Sequence, residues 1–182
     1  MADARRDGGL WCNGGVSAAD LALYGVLLVV YLPHAVLLAW ADGREHRLPN
    51  PLVASLTLSL TVCLGLLALL VPSVRQDLKV AAVLALVVGA GAILIALVAP
   101  PLLGMGDAKT LPAVVAMTAA FGGQQLIAGM LGIMLLAGLA GTVVLVATRR
   151  AGVRFAVGPV LLAGPFLGLL GAPLVDAALG TA

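Results

Sequence analysis

Residues 80–109 read VAAVLALVVGAGAILIALVAPPLLGMGDAK. The run from Val80 to Ala99 carries no charge and is long enough to cross a bilayer as a helix. Pro100 and Pro101 stop it, and Gly104 and Gly106 let the backbone bend tightly and admit another chain close by. Asp107 then opens the next apolar segment, with Lys109 two residues on. An ionisable side chain at full depth in a span costs roughly 2.5–3.5 kcal/mol on insertion scales, and less near the interface. An acid here therefore reads first as functional. The alternative is a helix cap, since an Asp at a helix start accepts backbone N–H bonds.

The same pattern repeats outward along the chain. Hydrophobic residues make up 62% of the 182, charged residues only 10%, and the mean hydropathy is +1.16, values no ordinary soluble domain approaches. The predicted spans are Leu21–Trp40, Leu52–Val71, Val80–Ala99, Thr110–Phe121, Leu126–Ala147 and Pro159–Leu179. The fold class is thus all-α, a polytopic membrane bundle of about six helices with residues 21–182 as its one domain. Residues 1–20 read as a loose tail, with Asp3, Arg5, Arg6 and Asp7 and no signal-peptide pattern. Gly122-Gly123-Gln124-Gln125 reads as the turn between the fourth and fifth spans. Gly158, Gly164, Gly168 and Gly171 are expected to permit close helix packing in the sixth. A net charge of +2 gives no case for nucleic acid, and the lone Cys12 and Cys63 give none for a disulfide framework or zinc site.

The densest charge cluster is Asp42-Gly-Arg-Glu-His-Arg-Leu-Pro-Asn50, between the first two spans. Glu45 and His46 need only be solvated, whereas Asp42 stands at the very end of the first span, just after Trp40-Ala41. Pro49 and Pro51 fix an extended re-entry. Pro33 is expected to kink the first span, its freed backbone group satisfied by neighbours. His34 lies eight residues before Asp42, about 12 Å along one helix, and reads as a satisfied bundle-facing histidine.

Two spans lie between Asp42 and Asp107, and an even number of crossings returns the chain to the face it left. Arg44, Arg47, Lys109, Arg149, Arg150 and Arg154 share that face, which the positive-inside rule makes cytoplasmic. Asp3, Asp7, Asp20, Asp77 and Asp176 fall opposite. Two nearby carboxylates in a partly dry site share one proton across neutral pH. One then takes a proton from water while the other donates to a peptide carbonyl oxygen, the aspartic-protease arrangement. No Ser/His/Asp set, metal-ligand spacing or dinucleotide loop competes with it.

Those residues resemble the type IV prepilin peptidases, grouped with the preflagellin peptidases among membrane aspartyl proteases bearing a Gly-x-Gly-Asp motif. Asp42 through Pro49-Asn50 is similar to the family's first catalytic-aspartate region, and Gly104-Met-Gly-Asp107-Ala-Lys109 to its second. A weaker third likeness lies at Gly158-Pro159 and Gly164-Pro165-Phe166-Leu167. The resemblance implies catalytic Asp42 and Asp107, supported by Gly104, Gly106, Lys109, Pro49 and Asn50, with no metal or cofactor. It further implies a prepilin or pseudopilin substrate, cut after the Gly that ends a short basic leader, at the cytoplasmic face of the plasma (inner) membrane. The paired-cysteine region of the longer, methylating members has no counterpart here, so the expectation is a short, peptidase-only form of the tight-adherence kind. Thr110 stands where Leu is common after the Lys. Two other classes compete: a small proton- or ion-coupled transporter, which should carry acids nearer mid-span, and a membrane assembly subunit in which both acids are helix caps.

Overall fold

The computed structural model describes residues 17–45, 49–99, 103–149 and 157–180. The tail expected over residues 1–20 lies mostly outside them, as do Cys12, His46, Arg47, Pro100, Pro101, Arg150 and Arg154. The described residues are helical almost throughout, with no strand among them. In order the helices are α1 (Ala18–Gly25), a π-helical turn (Val26–Tyr31), α2 (Leu32–Glu45), α3 (Asn50–Leu70), α4 (Arg75–Val98), α5 (Met105–Ala120), α6 (Gly123–Thr148), α7 (Gly158–Leu162) and α8 (Gly164–Leu179). Four stretches are long and apolar enough to cross a membrane: Ala18–Arg44, Asn50–Leu70, Pro72–Val98 and Gly123–Ala147. Large apolar side chains point out of the bundle, Val98 and Leu170 being 78% exposed and Leu86 73%. In water such a surface would aggregate; in a bilayer it faces lipid. The protein is a polytopic helical membrane bundle.

The first helix begins at Ala18, three residues before the predicted span, because Ser17 and Asp20 form a capping box. Pro33 lacks an N–H and its ring crowds the carbonyl four residues back. The helix widens just ahead of it, and the Leu32 N–H reaches Leu27 O, five residues back. His34 Nδ1 donates to Val30 O at 2.8 Å, so the histidine is satisfied by its own helix rather than by the bundle.

Pro49, extended at φ −67° and ψ 121°, caps α3. A 3₁₀ turn at Pro72–Val74 leads to α4, where the Arg75 guanidinium donates to Ala68 O at 2.9 Å and Leu69 O at 3.3 Å, satisfying the last carbonyls of α3. Buried Ala81, Ala85, Gly89, Ala92 and Ala96 form one small-residue ridge along α4. Against it lies α5, with nine of its 16 residues buried, the innermost helix of the bundle. A Cβ at Gly89 would stand 2.5 Å from Pro112 Cγ of α5, so the two backbones approach this closely only because residue 89 is glycine.

Other boundaries also differ from expectation. The helix that carries the predicted fourth span begins earlier, at Met105, so Gly106 to Lys109 lie in its first turns. The following turn is also shorter than Gly122–Gln125: Gly122, at φ +127°, makes the bend, and α6 begins at Gly123. The predicted sixth span breaks at Ala163 into α7 and α8. The 16 residues of α5 and of α8 each extend about 24 Å, short of the full apolar thickness. As expected of small residues in this segment, α8 packs closely on α6: Cβ positions at Gly168 and Gly171 fall 2.5 Å from Gln125 O and 3.1 Å from Ala128 Cβ.

Candidate active site

Asp42 occupies the last turn of α2 and is buried, 7% exposed. Its Oδ2 accepts the Gly158 N–H at 3.1 Å, a bond between residues 116 apart in the chain. Nothing in the sequence pattern of α2 requires it, and a carboxylate so near the carbonyl end of a helix gains nothing from the helix dipole. Asp107 lies in the first turn of α5, outside the four long spans, and among the described residues no side-chain capping bond is made at that helix start. Gly104 takes the N-cap position instead, extended at φ −66° and ψ 141°, and Ala108 N donates to its carbonyl at 3.0 Å.

The fold brings the two acids together. Burial first, and the Asp42 charge second, raise the Asp107 carboxyl above its ordinary range. A Cβ on Gly104 would sit 3.3 Å from Asp107 Oδ2, tight enough that glycine here keeps the carboxyl uncrowded. Directly beneath, Ala108 is fully buried and packs on Ala92 and Ala96 of α4, which sets the depth of the first turn. Thr110, also fully buried, donates its hydroxyl to Asp107 O at 2.9 Å and lies 3.4 Å from Gly106 O, tying the motif's backbone. Thr110, the residue after Lys109, thus gives its hydroxyl to the site's own helix.

Lys109 Nζ donates to Asn50 Oδ1 at 3.1 Å, joining the second motif to the end of the first. With Pro49 capping α3, this fixes the start of α3 against the start of α5. All seven residues singled out in the sequence thus fall at one end of the bundle, where α2 ends and α3 and α5 begin. Beside them Arg44 lies over the Trp40 ring at 4.4 Å, a cation–π contact. His34 is apart from the site. The Glu45 side chain and His46 lie outside what the structure describes.

The sequence ranked the contribution of α7 lowest. Its first residue bonds Asp42, and its last, Leu162, accepts the buried Tyr31 hydroxyl at 2.9 Å. These two bonds pin α7 along the first helix. The Gly-Pro pair at 158–159 was the only signal of this, and a hydrogen bond from a backbone amide leaves no side-chain pattern to read.

A separate recess lies elsewhere among the described residues. A cleft of about 660 Å³ lies between α3 and α4 with α5 as its floor, walled by apolar groups such as Leu60, Leu64, Ala85 and Pro112. Neither aspartate lines it.

No protein-family model matches the chain, and no curated protein or solved structure matches it either.

Proposed function

We propose that the protein is a membrane aspartic endopeptidase of the prepilin-peptidase kind, with Asp42 and Asp107 as its catalytic pair. One observation carries this reading: two acids 65 residues apart are brought to one end of the bundle, Asp42 buried and Asp107 partly so, close enough that the charge of one acts on the other. Keeping like charges together is unfavourable, and the N-cap position of α5 is taken by Gly104 rather than by Asp107. That weakens the assembly-subunit reading. The transporter reading is weakened because the pair sits at the helix ends, whereas a relay across the bilayer needs acids deeper in the spans.

In this reaction a water lies between the carboxylates and the scissile carbonyl. One carboxylate removes a proton from water as its oxygen adds to the carbonyl carbon, and the other acid protonates the carbonyl oxygen. The tetrahedral diol collapses with a proton passing to the departing nitrogen, and both carboxyls return to their starting state. The substrate class follows from the motif resemblance: a prepilin or pseudopilin whose short basic leader ends in Gly. The site then faces the cytoplasm from a plasma or inner membrane.

Incubating the purified protein in lipid with a prepilin-like substrate tests the proposal. The expected result is a single cut after the leader glycine, absent when either Asp42 or Asp107 is Asn. Undiminished cleavage by either variant would refute the assignment.

A further inference from the structure

We infer that Gly158 is a positioning residue of this site: its backbone amide holds Oδ2 of Asp42, leaving Oδ1 to take the proton from water, while Asp107 supplies the proton to the carbonyl oxygen. The inference rests on the peptidase reading and adds the division of labour within the pair.

The argument starts from the 3.1 Å bond between Gly158 N and Asp42 Oδ2. An N–H can be given only to an acceptor oxygen, and a carboxylate is the strongest acceptor a side chain offers. The bond also removes the rotational freedom of the carboxyl group, since turning it would break a buried contact. Glycine is needed for the approach. A Cβ at residue 158 would stand 2.5 Å from Oδ2 and 3.0 Å from Cγ of Asp42, closer than real carbon atoms pack. Any side chain here pushes either the carboxylate or α7 away.

The neighbours of Asp42 leave one acid to be its complement. Among the described residues, α7 (GPVLL) carries no ionisable side chain, and α3 carries only Cys63, far along the helix. The π-helical turn brings Tyr31, whose hydroxyl is given to Leu162 O. From α5 come Lys109, bonded to Asn50, and Asp107. On α2 itself Arg44 is held over Trp40. Among the described residues the pair receives one backbone N–H, from Gly158, and it goes to Asp42. The shared proton is therefore assigned to Asp107, and Asp42 is the proton acceptor. During the reaction the water proton goes to Asp42 Oδ1 and the Asp107 proton goes to the carbonyl oxygen. On collapse of the diol the C–N bond breaks, the proton on Asp42 passes to the nitrogen, and a diol hydroxyl proton returns to Asp107.

Two measurements test this. Gly158→Ala should lower kcat by about 10²-fold, the scale of a 1 Å misplacement of a reacting group, while KM stays within about twofold. A purely structural role would instead lower the amount of folded protein and leave kcat per folded molecule intact. The second measurement does not depend on that variant folding well enough to assay. In the wild-type protein labelled with [15N]glycine, the Gly158 amide proton should resonate far downfield, move upfield in Asp42→Ala, and change little in Asp107→Ala. A Gly158 amide indifferent to Asp42→Ala, or a Gly158→Ala enzyme with wild-type kcat, would overturn the inference. If those results came with aspartate variants that are inactive, the peptidase reading would stand and only the positioning role would fall. Cleavage by either aspartate variant would overturn both.

Discussion

At the scale of single residues, the question is whether Asp42 and Asp107 act as one unit. Replacing either by Asn keeps size and removes the proton exchange, so each variant should lose about 10²–10⁴-fold in turnover per folded molecule. The double variant should be scarcely worse than either single one, because groups working on one transition state are strongly non-additive. Rate measurements normalised to folded protein check this, and additive losses would count against a shared role. Glu45→Gln and His34→Gln should keep most of the activity; His34 is spent on Val30 O in its own helix. The raised Asp107 carboxyl has a second consequence, for stability. Between the ordinary carboxylate value and the raised one, the folded state binds the proton more tightly than the unfolded state. Stability is therefore lost as pH rises through that window, the reverse of the usual paired carboxylate. Thermal unfolding in detergent from pH 4 upward should show this decline in the wild type, and Asp107→Asn should flatten it. Equal slopes in the two proteins would mean that Asp107 is not the group responsible.

Among elements, the site depends on how closely α5 lies against α4. The ridge of Ala81, Ala85, Gly89, Ala92 and Ala96 carries the contact, and Gly89 meets Pro112 where no Cβ fits. Gly89→Val should therefore destabilise the bundle by about 1–3 kcal/mol through overpacking. Gly91→Ala, on the same helix but with nothing within 4 Å of its Cβ position, should be neutral or stabilising by up to about 1 kcal/mol. Paired melting curves of the two variants decide it, and equal effects would deny the close packing. Much of this element structure was legible in the sequence, for physical reasons. Runs such as Val80–Ala99 leave the chain no option but helices in a bilayer, and prolines and charges mark where they end. The two acids were legible because charge is costly in apolar surroundings, and their common face followed from the even number of helices between them, whereas their approach to each other is set by the packing. Other features were hidden because they rest on backbone geometry at a distance. The widened turn before Pro33, the break at Ala163 and the Gly158 bond to Asp42 each depend on a carbonyl or amide whose partner no local pattern names. Helix starts were missed by a few residues where capping decided them, as at Ser17 and Gly104, although Ser17 with Asp20 was a readable capping box.

For the molecule as a whole, the placement of both acids at one end turns orientation into a functional question. The chain leaves that end after α2, crosses through α3 and α4, and comes back to it at the start of α5, so Asp42 and Asp107 must face the same compartment. A substrate leader that stays in the cytoplasm can be cut only if that compartment is the cytoplasm. Charge favours this orientation: Arg44, Lys109 and Arg149 flank the site end, against Arg75 and Lys79 at the other. The difference is modest, and Asp77 beside Arg75 and Lys79 contributes little to orientation, because acids weigh little in this rule. Exposed Arg44, Gln76 and Arg149 are suitable reporters of the two ends. Single cysteines at these positions, introduced after Cys12 and Cys63 are replaced, should divide two against one towards an impermeant thiol reagent in intact cells. Gln76→Cys should label at once, while Arg44→Cys and Arg149→Cys should label only after the membrane is opened. The reverse pattern would leave the bundle and its paired acids intact but face them away from any cytoplasmic leader. The carboxylates would then need a substrate presented from outside, and the prepilin reading would fail even if the two acids proved catalytic.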